Sequence, residues 1–177
     1  MKLSIPVSTH DHAQGAAHAH VTLVQYGDYE CSHCGRAYPI VKAVQRALGA
    51  ELRFVFRNFP LTQVHPHALH AAEVAEAAAL QGKFWEMHDA LYEHQAALDD
   101  HHLIDYARAL GLDPARVAKD ASSDAVVGRI RADLAGGDAS GVQGTPAFYI
   151  NGVRHDASWD EATLLAAVRA AHGKAHP

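Results

Sequence analysis

The chain has 177 residues, 49% of them hydrophobic, and a formal net charge of -5. That is enough apolar sequence for one well-buried core, and it is not the composition of a disordered chain. A mildly acidic balance gives no reason to expect nucleic acid or an anionic membrane as the main partner, and no apolar run approaches the roughly 20 residues of a membrane span.

The N-terminus, Met1-Lys2-Leu3-Ser4-Ile5-Pro6-Val7, has one basic residue but lacks the apolar stretch of about 7–15 residues that marks a secretion signal. As the chain stands, the expectation is a cytoplasmic protein; a trimmed leader would make it periplasmic or otherwise extracytoplasmic. Residues 1–19 are polar and rich in His, Ala and Gly, and read as an arm or a short edge element. Val21-Thr22-Leu23-Val24-Gln25-Tyr26, rich in β-branched and aromatic residues, reads as a buried strand ended by Gly27-Asp28.

Both cysteines of the chain follow, in Cys31-Ser32-His33-Cys34. A bridge between them closes a tiny loop and constrains the unfolded chain very little, so stability is a poor reason for the pair. Cys31 falls between a strand end and a helix start, where unpaired backbone N–H groups and the helix dipole favour a thiolate. Cys34 lies one turn further on, on the same face, and is expected to be less exposed. This spacing suits a pair that alternates between dithiol and disulfide, Cys31 forming the mixed disulfide and Cys34 resolving it.

Ala37, Val41, Val44 and Leu48 then mark one helical face, with Pro39 expected to kink the helix and Gly49 to stop it. Residues 52–57 form a second strand. A helical block follows. Residues 66–81 are Ala-rich; Phe84, Met87, His88 and Leu91 make a second face; Leu103, Ile104, Ala107 and Leu110 a third. Asp113-Pro114 is an N-cap with Pro at the first helical position, and Val127, Ile130 and Leu134 mark a fifth helix broken by Gly136-Gly137 and Gly141. Residues 146–150 return to strand. Asn151-Gly152 is a two-residue hairpin turn leading to Val153-Arg154, and Ser158-Trp159-Asp160-Glu161 fits a capping box for a last helix to about His172.

The order is strand, helix, strand, an all-helical block, then hairpin and helix. It predicts an α/β fold, a mixed central sheet flanked by helices with a helical insertion. The expected divisions are a His-rich arm over 1–19, a sheet domain over 20–62 and 141–177, and a helical subdomain over 63–140.

Tyr26-Gly-Asp-Tyr-Glu-Cys31, Phe56-Arg-Asn-Phe-Pro60-Leu61 with His65-Pro66-His67-Ala68, and Gly144-Thr-Pro146-Ala-Phe-Tyr-Ile-Asn-Gly152 together resemble the DsbA-like branch of the thioredoxin superfamily. The resemblance covers nearly all of the chain after residue 19. It implies a thioredoxin fold and thiol–disulfide exchange on protein or peptide substrates, with Cys31 as nucleophile and Cys34 as resolving thiol. It also implies a cis bond before Pro146, with Thr145-Pro146 as the platform that docks the substrate backbone. Cis geometry is accessible chiefly before proline, and proline leaves a neighbouring strand edge open to an extended peptide. His33, placed before the second cysteine as in DsbA, implies an oxidising bias relative to thioredoxin, because a partly positive imidazole favours the thiolate of the reduced form. Ser32 stands where the family commonly has proline.

The chain departs from the thioredoxin pattern at Gln25, six residues before Cys31, where the relatives place a carboxylate that relays the proton of the second cysteine. Gln25 cannot ionise, so Asp28 and Glu30 are the remaining candidates for proton relay or tuning. No metal or organic cofactor is called for, the recycling partner is undefined, and the missing dimerisation segment of the isomerase relatives points to a monomer.

Two other readings compete. One is a metal-binding or partner-docking module, with Cys31, Cys34 and two of the 15 His forming a zinc site. The other is a glutathione-dependent reductase or isomerase of the same fold. Most His, including His10, His12, His18, His20, His65, His67 and His70, read as solvated or helix-capping. The Phe84, Trp85, Met87, Leu91 and Tyr92 stripe reads as the core of the helical block.

Overall fold

The structure, a computed structural model, describes residues 1–173; the last four residues of the predicted 141–177 segment lie outside the described residues. Two compact units are present. The first comprises Met1–Gly27, Arg36–Arg57 and the chain from Gly136, and the second Asp28–Gly35 and Asn58–Ala135. Residues 28–35 cluster with the helical stretch in the second unit.

The first unit holds a five-stranded mixed sheet in the order β1-β3-β2-β4-β5, built from β1 (His12–Gln14), β2 (Val21–Gly27), β3 (Leu52–Asn58), β4 (Ala147–Ile150) and β5 (Val153–His155). β2 is solvent-shielded along almost its whole length, with Leu23, Val24 and Tyr26 all at 0% exposure, as its continuous apolar run requires. β4 pairs antiparallel with both β2 and β5. Asn151 and Gly152 both take positive φ (47° and 76°), the conformation a two-residue hairpin turn demands, and the Asn151 carboxamide accepts the Thr22 N–H at 2.8 Å. Helix α1 (Ser32–Leu48) retains Pro39 inside its span, and α7 (Glu161–Gly173) packs Leu164 and Val168 on the sheet.

The N-terminal segment is tied down rather than loose. His12–Gln14 adds an antiparallel edge strand to β3, the short edge element that composition suggested. Arg57 anchors it. Its guanidinium grips Asp11 at 2.8 and 3.1 Å, donates to the carbonyls of Ile5 and Pro6, and reaches the Tyr26 hydroxyl at 3.0 Å. All five guanidinium-type contacts are made at 3% side-chain exposure, the fork geometry for which arginine is suited.

The second unit carries α2 (Ala68–Ala79), α3 (Phe84–Glu93), α4 (Asp100–Ala109) and α5 (Pro114–Ala121), and most of α6 (Asp124–Ala139). α2 lies against α3, α4 and α5. Its Ala71, Ala75, Ala77 and Ala78 are fully buried, small side chains that let backbones approach closely. Phe84, Met87, Leu91 and Tyr92 are buried in this core. Asp99 and Asp113 cap α4 and α5, each accepting two backbone N–H groups.

Two local expectations are corrected. α6 runs through Gly136-Gly137 to Ala139 instead of breaking there. A Cβ on Gly136 would stand 3.2 Å from Ile5 and 3.3 Å from the Tyr26 hydroxyl, so this glycine serves a close approach, and the chain turns only at Gly141 with φ 79°. The cap of α7 is Asp160 and not Ser158: Asp160 accepts the Thr163 N–H at 3.0 Å, while the Ser158 hydroxyl donates to Asp160 at 2.7 Å. Those bonds hold the Asp160 carboxyl down at about 2.

Candidate active site: the Cys31–Cys34 loop

β2 delivers the chain to Asp28, and α1 begins at Ser32, so Cys31 occupies the N-cap position. Its carbonyl accepts the first helical bond from the Gly35 N–H at 3.0 Å. Both cysteines are buried thiols, but not equally: Cys31 keeps 5% of its surface exposed and Cys34 none. Of the two, only Cys31 keeps exposed surface, and it sits where helix-end N–H groups and the macrodipole favour negative charge. Ser32 and His33 are exposed on the outer face of the turn.

The residue that organises this loop is Asp28, at 1% exposure. One carboxylate oxygen accepts the N–H groups of Glu30 (2.8 Å) and Cys31 (3.2 Å). The other accepts the Leu61 N–H at 2.8 Å and meets the His65 imidazole Nδ1 at 2.8 Å. A buried carboxylate needs such partners, since burying a charge unpaired is costly. Glu30 reaches the same segment and accepts the His67 N–H at 2.6 Å. Asp28 and Glu30 therefore clamp residues 61–67 to the cysteine loop.

A second brace comes from Gln95, just past α3. Its carboxamide donates to the carbonyls of Tyr29 (2.7 Å) and Cys31 (2.9 Å). Gly35 leaves room for it: a Cβ there would fall 2.0 Å from the Gln95 Oε1. Beneath the loop, Tyr29 is fully buried against Tyr92 and His88, its hydroxyl 3.1 Å from the His88 Nδ1. Burial pushes the Tyr29 and Tyr92 phenols well above their usual range.

The remaining predicted residues lie in the first unit. Gln25 is buried at 2% on β2, opposite Phe148. Thr145-Pro146 immediately precedes β4 and its peptide bond is cis. Gln95 gave no signal in the sequence, because a lone glutamine after a helix has no pattern. His65 carried a signal, the His65-Pro66-His67 run, yet it read as solvated; the structure instead pairs it with Asp28. Among the described residues, no group of three or more His, Cys, Asp or Glu is placed to hold a metal ion.

The thioredoxin family profile matches residues 8–170. A thioredoxin-like oxidoreductase from Silicibacter pomeroyi superposes with a TM-score of 0.85 at 27% identity, covering 94% of each chain. Alpha-DsbA1 from Wolbachia pipientis superposes at 0.82 with 18% identity, over 98% of this chain and 96% of that one. A curated relative, Na(+)/H(+) antiporter NhaA 1 of Salinispora arenicola, is 45% identical over 170 residues, which are 96% of this chain and 26% of that protein. The chain thus spans about a quarter of the length of that relative. With the profile matched over residues 8–170, the chain belongs to the thioredoxin family, and its fold is the one DsbA-like proteins share.

Proposed function

We propose that the protein exchanges disulfides with protein or peptide substrates through Cys31 and Cys34. In the oxidising direction a substrate thiolate attacks the Cys31 sulfur, and the Cys34 thiolate leaves. A second substrate thiolate then attacks the mixed disulfide, releasing the substrate disulfide and the Cys31 thiolate. In the reducing direction the Cys31 thiolate attacks the substrate disulfide, and Cys34 displaces the substrate thiolate from the mixed disulfide. The observation that carries this is the unequal burial of two thiols one helical turn apart, with the accessible one at a helix N-terminus. Thr145-Pro146 serves as the docking platform by resemblance to the family, and the exposed His33 tunes the potential towards oxidation.

The curated relatives are named as antiporters, but ion transport is not proposed for this chain. Among the described residues, no helix is long and apolar enough to cross a membrane. The test is insulin reduction and oxidative refolding by the wild type, Cys31→Ser and Cys34→Ser. Cys34→Ser is expected to accumulate a mixed disulfide with substrate, visible by mass spectrometry, and Cys31→Ser to form none. Stoichiometric zinc lost in either variant, with no exchange by the wild type, would replace this reading with a metal site.

A further inference from the structure

Asp28 stands in an awkward place for a reactive thiol. Its buried carboxylate accepts the Cys31 backbone N–H at 3.2 Å, which brings a negative charge into the reactive loop. A nearby like charge opposes ionisation, and at low exposure solvent screens it poorly. The structure contains the remedy. The same carboxylate that touches Cys31 through one oxygen touches His65 through the other.

Resting on the reading of Cys31 as the reactive thiol, we propose that His65 is a positioning residue that, through Asp28, governs how readily Cys31 gives up its proton. With an imidazolium at position 65, Asp28 and His65 form a neutral pair and Cys31 sees little net charge. With a neutral imidazole, the carboxylate faces the sulfur uncompensated. Burial pulls the His65 pKa down, but the Asp28 hydrogen bond and charge outweigh it, and Cys31 and Glu30 add to the rise, so the net direction is upward. His65 thus stays protonated to higher pH than an ordinary histidine. The side chain is 23% exposed, so its proton exchanges with water rather than being sealed in.

The other ionisable groups around this pair are known. Glu30 and His67 lie on the two clamped segments, Cys34 on α1, and Tyr29 and Tyr92 pack from beneath. The Tyr92 hydroxyl reaches the Asp28 backbone carbonyl at 3.4 Å and not its carboxylate, which leaves His65 as the cation paired with Asp28.

The test follows the ionisation of Cys31 in the Cys34→Ser background, by thiolate absorbance and by iodoacetamide alkylation rate across pH. Neither readout requires exchange activity, so a failure here is separable from a failure of the exchange reading, which the trapped mixed disulfide decides. His65→Gln is expected to raise the Cys31 midpoint by about one pH unit, roughly a tenfold loss of thiolate at a given pH below it. In an Asp28→Asn background the same substitution is expected to move it by less than about a third of that. A midpoint unmoved by His65→Gln, or an equal shift with and without Asp28, would overturn the proposal. Should His65→Gln fail to fold, an NMR titration of the wild-type His65 ring decides the matter. By reciprocity, Cys31→Ser must lower the His65 midpoint, and no change in it would overturn the proposal as well.

Discussion

Asp133, on α6, offers the sharpest test of how burial sets charge in the helical unit. Its carboxylate is 6% exposed and accepts both the backbone N–H (2.9 Å) and the carboxamide (3.2 Å) of Asn58. The Asn58 carboxamide also donates to Glu76 at 2.6 Å, and Arg129 approaches Asp133 at 3.3 Å. Burial pushes the Asp133 pKa up most strongly. Arg129 and Asn58 pull it back and Glu76 adds to the rise, leaving it at about 6 against an ordinary 3.8. The folded state therefore holds this proton more tightly than the unfolded chain. The stabilisation is complete below the unfolded value and is lost as pH rises through about 6. At about 1.4 kcal/mol per pH unit, the loss amounts to roughly 3 kcal/mol. Asp133→Asn keeps an oxygen that can accept from Asn58 and removes the ionisation. Urea unfolding of both proteins from about pH 3.5 to about pH 7.5 isolates the effect, because other carboxylates cancel in the difference. The stability of Asp133→Asn relative to wild type should climb by roughly 3 kcal/mol across that range, mostly between about pH 4 and about pH 6. A difference that is flat to within about 1 kcal/mol, or that falls, would refute the argument.

Two further substitutions probe the ties described above. Arg57→Met leaves Asp11 buried without its cation and should cost roughly 3–5 kcal/mol, with Arg57→Lys intermediate because it cannot form the fork. For a chain of this length that is a fall in Tm of roughly 6–20 °C by calorimetry, and a fall under about 3 °C would show that the tie is not structural. Gly35→Ala should displace Gln95 from the Tyr29 and Cys31 carbonyls and cost roughly 1–3 kcal/mol in urea unfolding. In a Gln95→Ala background the same change should be neutral or stabilising by up to about 1 kcal/mol, from helix propensity. An equal loss in both backgrounds would count against the close approach.

Much of the fold was legible because its signals are local. Val21 to Tyr26 announces a buried strand by composition, Asn151-Gly152 announces a hairpin by the φ values those two residues accept, and Asp113-Pro114 announces a helix start. The errors were also local signals, overruled by packing. Gly136-Gly137 looks like a helix break, yet the helix continues because Ile5 and Tyr26 press against a position with no side chain to spare. Arg57 had no readable role in sequence, since its partners Asp11, Ile5 and Pro6 lie 46 or more residues away.

The cysteine pair divides the same way. By itself the sequence determined that two thiols stand one turn apart at a strand-to-helix junction, because the spacing and the flanking strand are properties of a dozen consecutive residues. Only the tertiary structure decided what surrounds them. Asp28 finds Leu61 and His65 at separations of 33 and 37 residues, and Gln95 reaches back 64 to the Cys31 carbonyl. No residue type announces such partners in advance. Whether a carboxylate near a cysteine is a screened surface charge or a buried, histidine-paired clamp depends on burial, and burial is a property of the assembled chain.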